Sequence, residues 1–340
     1  MDSLIRKFTP IIYLHPEEKY YPVDIDWLLK SSTLKNFNDN TTIKSPTQRD
    51  LYNIAQKYNF QARKDGDVVL SFDPLSYRGQ SPVSDVPIYA LVREKNDKVY
   101  ITYIILFAYN GTYNIAGLAE LGEHPGDMEH ITVEASKDGT LLRVFFSAHG
   151  VKDGRWVKAE EIEKENGKIV GYNAVNGHGL YPYAGTAFRF GGAANDILVK
   201  GEKWEPVASM IYPKEDPRFN IDTMGWAVYN SRFGGSIDKP NTDGITGLPD
   251  KGWIEDIDNP DETFYKPPSI LVGKVDTSYS IISYIIRIFA LYLGIYILMK
   301  IVHKGTLNLT IKDHITIVAI IIIIVPSFKK VVSSILEKYV

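Results

Sequence analysis

The stretch IISYIIRIFALYLGIYILMKIV, residues 281–302, constrains this chain more than any other feature. Its only charges are Arg287 and Lys300. As a helix it would run roughly 33 Å, matching the hydrocarbon core of a bilayer. Lys300 lies at one edge and Arg287 within two turns of the other, so both can snorkel toward headgroups. Tyr279 and Tyr284 supply interfacial aromatics. A second apolar run, ITIVAIIIIIVPSF (315–328), is shorter than a span. It reaches span length only by continuing past Lys329 and Lys330, and Pro326 would kink it there. The expectation is a C-terminal α-helical membrane hairpin over 279–340, with a transmembrane helix at 281–302 and a shorter apolar helix at 314–335. A re-entrant or interfacial segment is the rival reading of the second. Lysine and arginine are similarly placed on both flanks, so the charge rule does not orient the hairpin.

Upstream, residues 1–258 read as one mainly β, sandwich-like soluble domain with a few short helices, joined to the membrane region by a Pro-rich linker at 259–278. Strands are expected at 68–72, 87–93, 99–109, 130–135 and 141–147, where β-branched and aromatic residues concentrate. The turn KDGT closes a hairpin between the last two. Shorter strands are expected at 187–190, 196–199 and 206–212, and RFGGAAND (189–196) reads as a loop. Helical signals are local: 24–30, 46–58 with Ser45 as N-cap, and 158–165.

Composition excludes several functions. A net charge of −3 gives no electrostatic footprint for nucleic acid. With no cysteine there is no disulfide framework, thiolate metal site or cysteine nucleophile. The sequence contains no nucleophile elbow, phosphate-binding glycine loop or His-Glu-x-x-His helix, so no nucleotide cofactor is expected and an enzyme is disfavoured. MDSLIRKFTPIIYLHPEEKYY lacks the apolar core of a secretory signal. The expected location is therefore a membrane, with the β domain on its cytosolic side.

The histidines are where chemistry concentrates. In EHPGDMEHITV (123–133), an extended backbone puts Asp127 and Glu129 on one face and His130 on the other. His124 can fold back across Pro125-Gly126 toward the two carboxylates, a donor set for one divalent cation. A solvated acidic strand end with a capping histidine is the plainer alternative. His178 in NAVNGHGLYPYAGT (173–186) and His149 in SAHG (147–150) each precede a glycine, and Gly179 leaves room beside His178 for close backbone approach. These loops can gather at one end of a sandwich, or each histidine can serve its own loop.

The ordered segments TPIIYLHPEEKYYPVDIDWLL (9–29), VPIYALV (86–92), YIILFAYNG (103–111), HPGDMEHITV (124–133), FSAHG (146–150) and NGHGLYP (176–182) resemble the vacuolar protein sorting-associated protein 62 family. The resemblance runs to MGWAVYNSRFGG (224–235); His15, another of the five histidines of the β domain, lies in its first segment and is a further site candidate. Met128 stands where that family usually has Trp, putting a smaller side chain beside the acidic pair, and the hydrophobic tail is not a general family feature. The His-x-x-Asp-x-Glu spacing is also similar to the metal site of necrosis-inducing plant cytolysins. That similarity implies His124, Asp127 and Glu129 as ligands.

Three readings follow: a membrane-anchored, non-enzymatic β module that binds a lipid or a protein partner, with a divalent cation; a metal-dependent hydrolase using the same histidines and carboxylates; or a structural protein of a membrane-bearing particle or organelle.

Overall fold

A computed structural model describes residues 1–251 apart from 62–64, 116–118, 150–152 and 188–194, and beyond them only 289, 292–296, 299 and 314. The chain divides into two compact units. The first takes in Met1–Gly111, Glu123–Ala184 and Ile197–Pro267. The second takes in Thr112–Gly122, Gly185–Asp196 and Pro268–Val340 and includes the short antiparallel hairpin Tyr113–Ile115 with Ala119–Leu121.

The first unit is organised around one long strand, Lys98–Asn110. Its sequence, KVYITYIILFAYN, is apolar at odd and even positions alike, which suits a strand buried on both faces. It lies inside a six-stranded central sheet. The order is Arg155–Lys158, Leu141–Phe146, His124–Ser136, Lys98–Asn110, Ile88–Lys95, Ala208–Ile211. All neighbours are antiparallel except the last pair.

Each face of this sheet has its own core. Ile101, Tyr103, Ile105 and Phe107 pack with Ile131 and Val133 against Ile12, Leu14, Ile169 and Trp204. Those last four belong to a second sheet, in which Ile11–Leu14 runs parallel to Lys168–Asn173 and antiparallel to Glu202–Trp204. On the opposite face, Ile104, Leu106, Ala108 and Met128 pack against Leu34, Leu70, Phe72 and Phe233, together with helix residues Leu28, Leu29 and Leu51. Here the cover is a third sheet containing Ser32–Asn36, Val68–Phe72 and Arg232–Phe233. The expected sandwich is therefore present, with a further sheet closing its other side. Each fully buried large apolar side chain contributes about 1.5–3 kcal/mol, so both faces are held strongly.

Local expectations fare unevenly. The strand at 68–72 forms with those bounds, and the KDGT hairpin closes with Gly139 at φ 85°. The helix Ile25–Lys30 forms with Asp24 as its cap, accepting from the Trp27 N–H at 3.0 Å. The next helix starts later than expected, at Gln48–Lys57, because Thr47 and Asp50 form a reciprocal capping box. Ser45 is not its cap; it has φ 48° and its hydroxyl donates to the Lys30 carbonyl. No helix forms at 158–165. Lys158 ends one strand, a turn follows, and Lys164–Glu165 pairs with Lys168–Asn173, with Gly167 at φ 80° between them.

Among the described residues no helix is long and apolar enough to cross a membrane. The expected spans at 281–302 and 314–335, with Arg287 and Pro326, fall almost wholly outside the described residues; 289, 292–296, 299 and 314 are helical. The loop expected at 189–196 also lies mostly outside them.

Candidate functional site

His124–Ser136 is a single strand paired with Lys98–Asn110 along its length. Asp127 stands opposite Phe107 and Glu129 opposite Ile105, so both carboxylates face the second sheet, as the extended reading requires. Met128 and His130 fall on the other face. The strand thus delivers two acidic groups into the seam between two sheets, where Asp127 and Glu129 are buried.

The second sheet answers with a histidine. After the strand Lys168–Asn173 the chain makes a tight loop, with Asn176 at φ 59° and His178 at φ 57°. Reciprocal bonds close it: His178 N–H to the Ala174 carbonyl at 3.0 Å, and Ala174 N–H to the Gly179 carbonyl at 2.9 Å. The Asn173 amide donates to the His178 carbonyl at 2.7 Å, holding the left-handed backbone. Gly179 is required here, because a Cβ would sit 2.7 Å from the Ala148 carbonyl oxygen and 2.8 Å from His149 Nε2.

His178 is fully buried and lies flat on Phe107, centroids 3.7 Å apart and planes 3° from parallel. Its Nδ1 donates to Asp127 Oδ2 at 3.0 Å. Its Nε2 lies 3.7 Å from Glu18 Oε1, an ion-pair contact too long for a hydrogen bond. Burial by itself would lower the imidazole pKa. The bond to Asp127 and the charge of Glu18 outweigh it and raise it to about 9. At neutral pH the ring is an imidazolium between two carboxylates.

Glu18 arrives from a turn at the end of Ile11–Leu14. His15 shapes that turn: its Nδ1 accepts from the Glu17 N–H at 3.0 Å, and its carbonyl accepts from the Glu18 N–H at 3.0 Å. The Glu18 carboxylate then takes three backbone N–H groups, from Lys19 and Tyr20 at 2.9 Å and Asn176 at 2.8 Å. Burial would raise its pKa, but His178 and the Tyr20 and Asn176 N–H groups hold it below the ordinary range. Asp127 behaves alike, with His178 first and then His124 and Lys251 offsetting burial. The Gly111 N–H donates to the Asn176 carbonyl at 2.7 Å, tying the end of Lys98–Asn110 to the same loop.

Glu129 extends the cluster. Its Oε2 accepts the Ser147 hydroxyl at 2.7 Å, and Ser147 Oγ accepts the His130 N–H at 3.4 Å. Lys251 lies close enough to feel Asp127 and Glu129, though burial dominates and lowers its pKa.

The predicted residues thus separate. Asp127 and His178 come together; Glu129 lies on the same strand face as Asp127 but pairs with Ser147; His149 packs on Gly179; His15 acts through the turn that delivers Glu18. His124 turns its Nδ1 to the Gly126 carbonyl at 2.8 Å. His130 faces the other core, fully buried, with Phe145 at 5.8 Å between centroids; burial lowers its pKa to about 3. Met128 also faces away from the acidic pair, so its replacement of the family's Trp changes the far core and not the site. Glu18, Phe107 and Lys251 were not singled out from sequence. The Glu-Glu pair in HPEEKYY was a signal for the first, but two adjacent glutamates do not reveal which is buried.

As arranged, the expected cation ligands have other partners. Asp127 Oδ2 accepts the His178 Nδ1–H and Oδ1 the Met128 N–H at 2.9 Å, while Glu129 accepts from the Ser147 hydroxyl. Among the described residues no three His, Asp or Glu side chains are grouped to hold one metal ion. The imidazolium supplies the positive charge that Asp127 and Glu18 need.

A family model described as vacuolar protein sorting-associated protein 62 matches residues 1–202. A curated relative, the vacuolar protein sorting-associated protein 62 of Saccharomyces cerevisiae, is 27% identical over 176 residues, which cover 46% of this chain and 37% of the relative. The match therefore spans a little over a third of that relative's length. Solved structures similar to this chain include NLPPya in complex with glucosamine (10% identity, 61% of this chain, 72% of that one, TM-score 0.34). Another is the non-toxic HaNLP3 protein (14% identity, 61% and 73%, TM-score 0.31).

Proposed function

The chain belongs to the vacuolar protein sorting-associated protein 62 family, and from that premise we propose that it is a membrane-anchored, non-enzymatic β module acting in binding, trafficking or assembly at a membrane. The observation that carries this reading is the sealing of the polar cluster. The side chains of His178 and Glu18 have no solvent exposure: His178 hydrogen-bonds Asp127, Glu18 accepts from backbone N–H groups, and the two face each other as an ion pair at 3.7 Å. A general acid or base must come within hydrogen-bond reach of its substrate. A carboxylate–imidazolium–carboxylate array locked between two sheets instead fastens together the loops at 15–20, 111 and 174–179, leaving their outer surfaces to meet a partner. Anchoring is supported by the apolar stretches at 281–302 and 315–328.

Alkaline carbonate extraction of membranes carrying the full chain tests the anchor, since an integral protein stays in the pellet. Protease protection of the same vesicles tests the cytosolic placement of the β domain. Elemental analysis of the purified full chain tests the rival hydrolase. A stoichiometric divalent cation that is lost in Asp127→Ala would put a metal site in place of the imidazolium latch.

A further inference from the structure

On the face of the central sheet away from the histidine cluster there is a cavity of about 490 Å³. Strand register lays down its floor: Ile211 is opposite Leu91, and Leu91 is opposite Thr102. Ile104 extends the floor along the same strand. The one polar element there is internally satisfied, because the Thr102 and Thr132 hydroxyls hydrogen-bond each other at 2.9 Å. The floor therefore presents hydrocarbon to an occupant. Phe60, Ala227, Val228 and Leu248 form the walls. Among the described lining residues, charge appears at the rim, in Lys214, Glu215 and Asp250. The Lys214 ammonium sits 4.6 Å over the Phe60 ring and 2.9 Å from Glu215. The volume lies within the usual range for small-molecule sites, roughly 300–1,000 Å³.

We propose that this cavity holds the hydrocarbon chain of a zwitterionic monoacyl phospholipid, with its headgroup at the Lys214–Glu215–Asp250 rim. The apolar floor disfavours a polar ligand, since hydrogen-bonding groups laid against it would go unpaired. The rim selects the headgroup. One ammonium beside two carboxylates complements a phosphate joined to a quaternary ammonium, whereas the carboxylate of a free fatty acid would meet two like charges. The inference rests on the membrane reading above, which puts the chain where such lipids are available.

The test is photo-crosslinking of the full chain in phosphatidylcholine vesicles containing lysophosphatidylcholine with a diazirine in its acyl chain. Adducts are mapped by peptide mass spectrometry. The expected result is labelling at Leu91, Ile211 or Ala227, lost in Ala227→Trp, which fills the cavity, with labelling of 281–302 unchanged. Val228→Phe is the second filling variant should the first fail to fold, folding being followed by circular dichroism. A diazirine fatty acid should label the cavity less. Tail labelling without cavity labelling overturns the inference and leaves the anchor standing. Cavity labelling that persists in a folded filling variant, or equal labelling by the fatty acid, also overturns it. Cavity labelling with an unlabelled tail supports the cavity and overturns the anchor.

Discussion

The imidazole of His178 lies parallel to the ring of Phe107 at 3.7 Å, and Phe107 is the cross-strand neighbour of Asp127, whose carboxylate accepts the His178 Nδ1–H hydrogen bond. One strand pair thus supplies both the flat surface that orients the imidazolium and the carboxylate that charges it.

Removing either partner should be costly. Asp127→Asn leaves a buried imidazolium facing Glu18 alone, and His178→Asn leaves two buried carboxylates without their cation. Breaking a buried pair in this way costs about 3–5 kcal/mol. Urea denaturation of each variant measures it; a loss near zero would mean the pair contributes no net stability.

The stability profile should fall on both sides of neutrality, for different histidines. His178 has its folded pKa raised from 6.5 to about 9, so its contribution is fully present below 6.5 and is lost as pH climbs through 9. His130 has the opposite shift, from 6.5 to about 3. Below 6.5 the unfolded chain takes up a proton that the folded chain refuses, so stability falls with acidity. Melting temperature against pH should lose its alkaline limb between 6.5 and 9 in His178→Asn. In His130→Phe the limb below 6.5 should shrink instead. The depressed pKa values of Glu18 and Asp127 add a further acid loss as pH falls from their unfolded values through their lower folded ones.

Gly111→Ala should destabilise by about 1–3 kcal/mol through overpacking. The added Cβ would stand 2.4 Å from the Tyr20 ring and 2.8 Å from the Asn176 Cβ. Thermal unfolding is the measurement, and an unchanged melting temperature would show that the two loops are free to separate.

Met128→Trp, which restores the residue usual in the family, should strain the second core by a similar amount, about 1–3 kcal/mol. It should leave the His178 imidazole signal in an NMR titration unmoved, because Met128 and Asp127 point to opposite faces. A shift in that titration would mean the faces communicate.

Much of this was open to reading in the sequence. Alternation in DMEH separated Asp127 and Glu129 from His130, and β-branched runs marked the strands of the central sheet. The third sheet was harder to foresee. The double-sided apolar run at 98–110 marks burial on both faces, but not what covers the second face. The expected helix at 158–165 failed because a turn residue with positive φ and a sheet edge available for Lys164–Glu165 outweighed a modest local propensity. The site was half legible for a related reason. Asp127 and His178 belong to conspicuous motifs, whereas Glu18 acquires its role only because the turn at His15 aims it at a loop 160 residues away in the chain. Contacts of that separation come from sheet pairing, which local pattern does not encode.

The two-faced strand His124–Ser136 has a consequence for how this chain can change over time. Its odd positions serve one core and its even positions another, so substitutions on one face can be sampled without disturbing the other. Insertion or deletion of a single residue would exchange the two sets, sending carboxylates into the Met128 core and Met128 toward the imidazole. Variation in this segment should therefore accumulate as replacements at fixed length, with changes of length confined to the turns on either side.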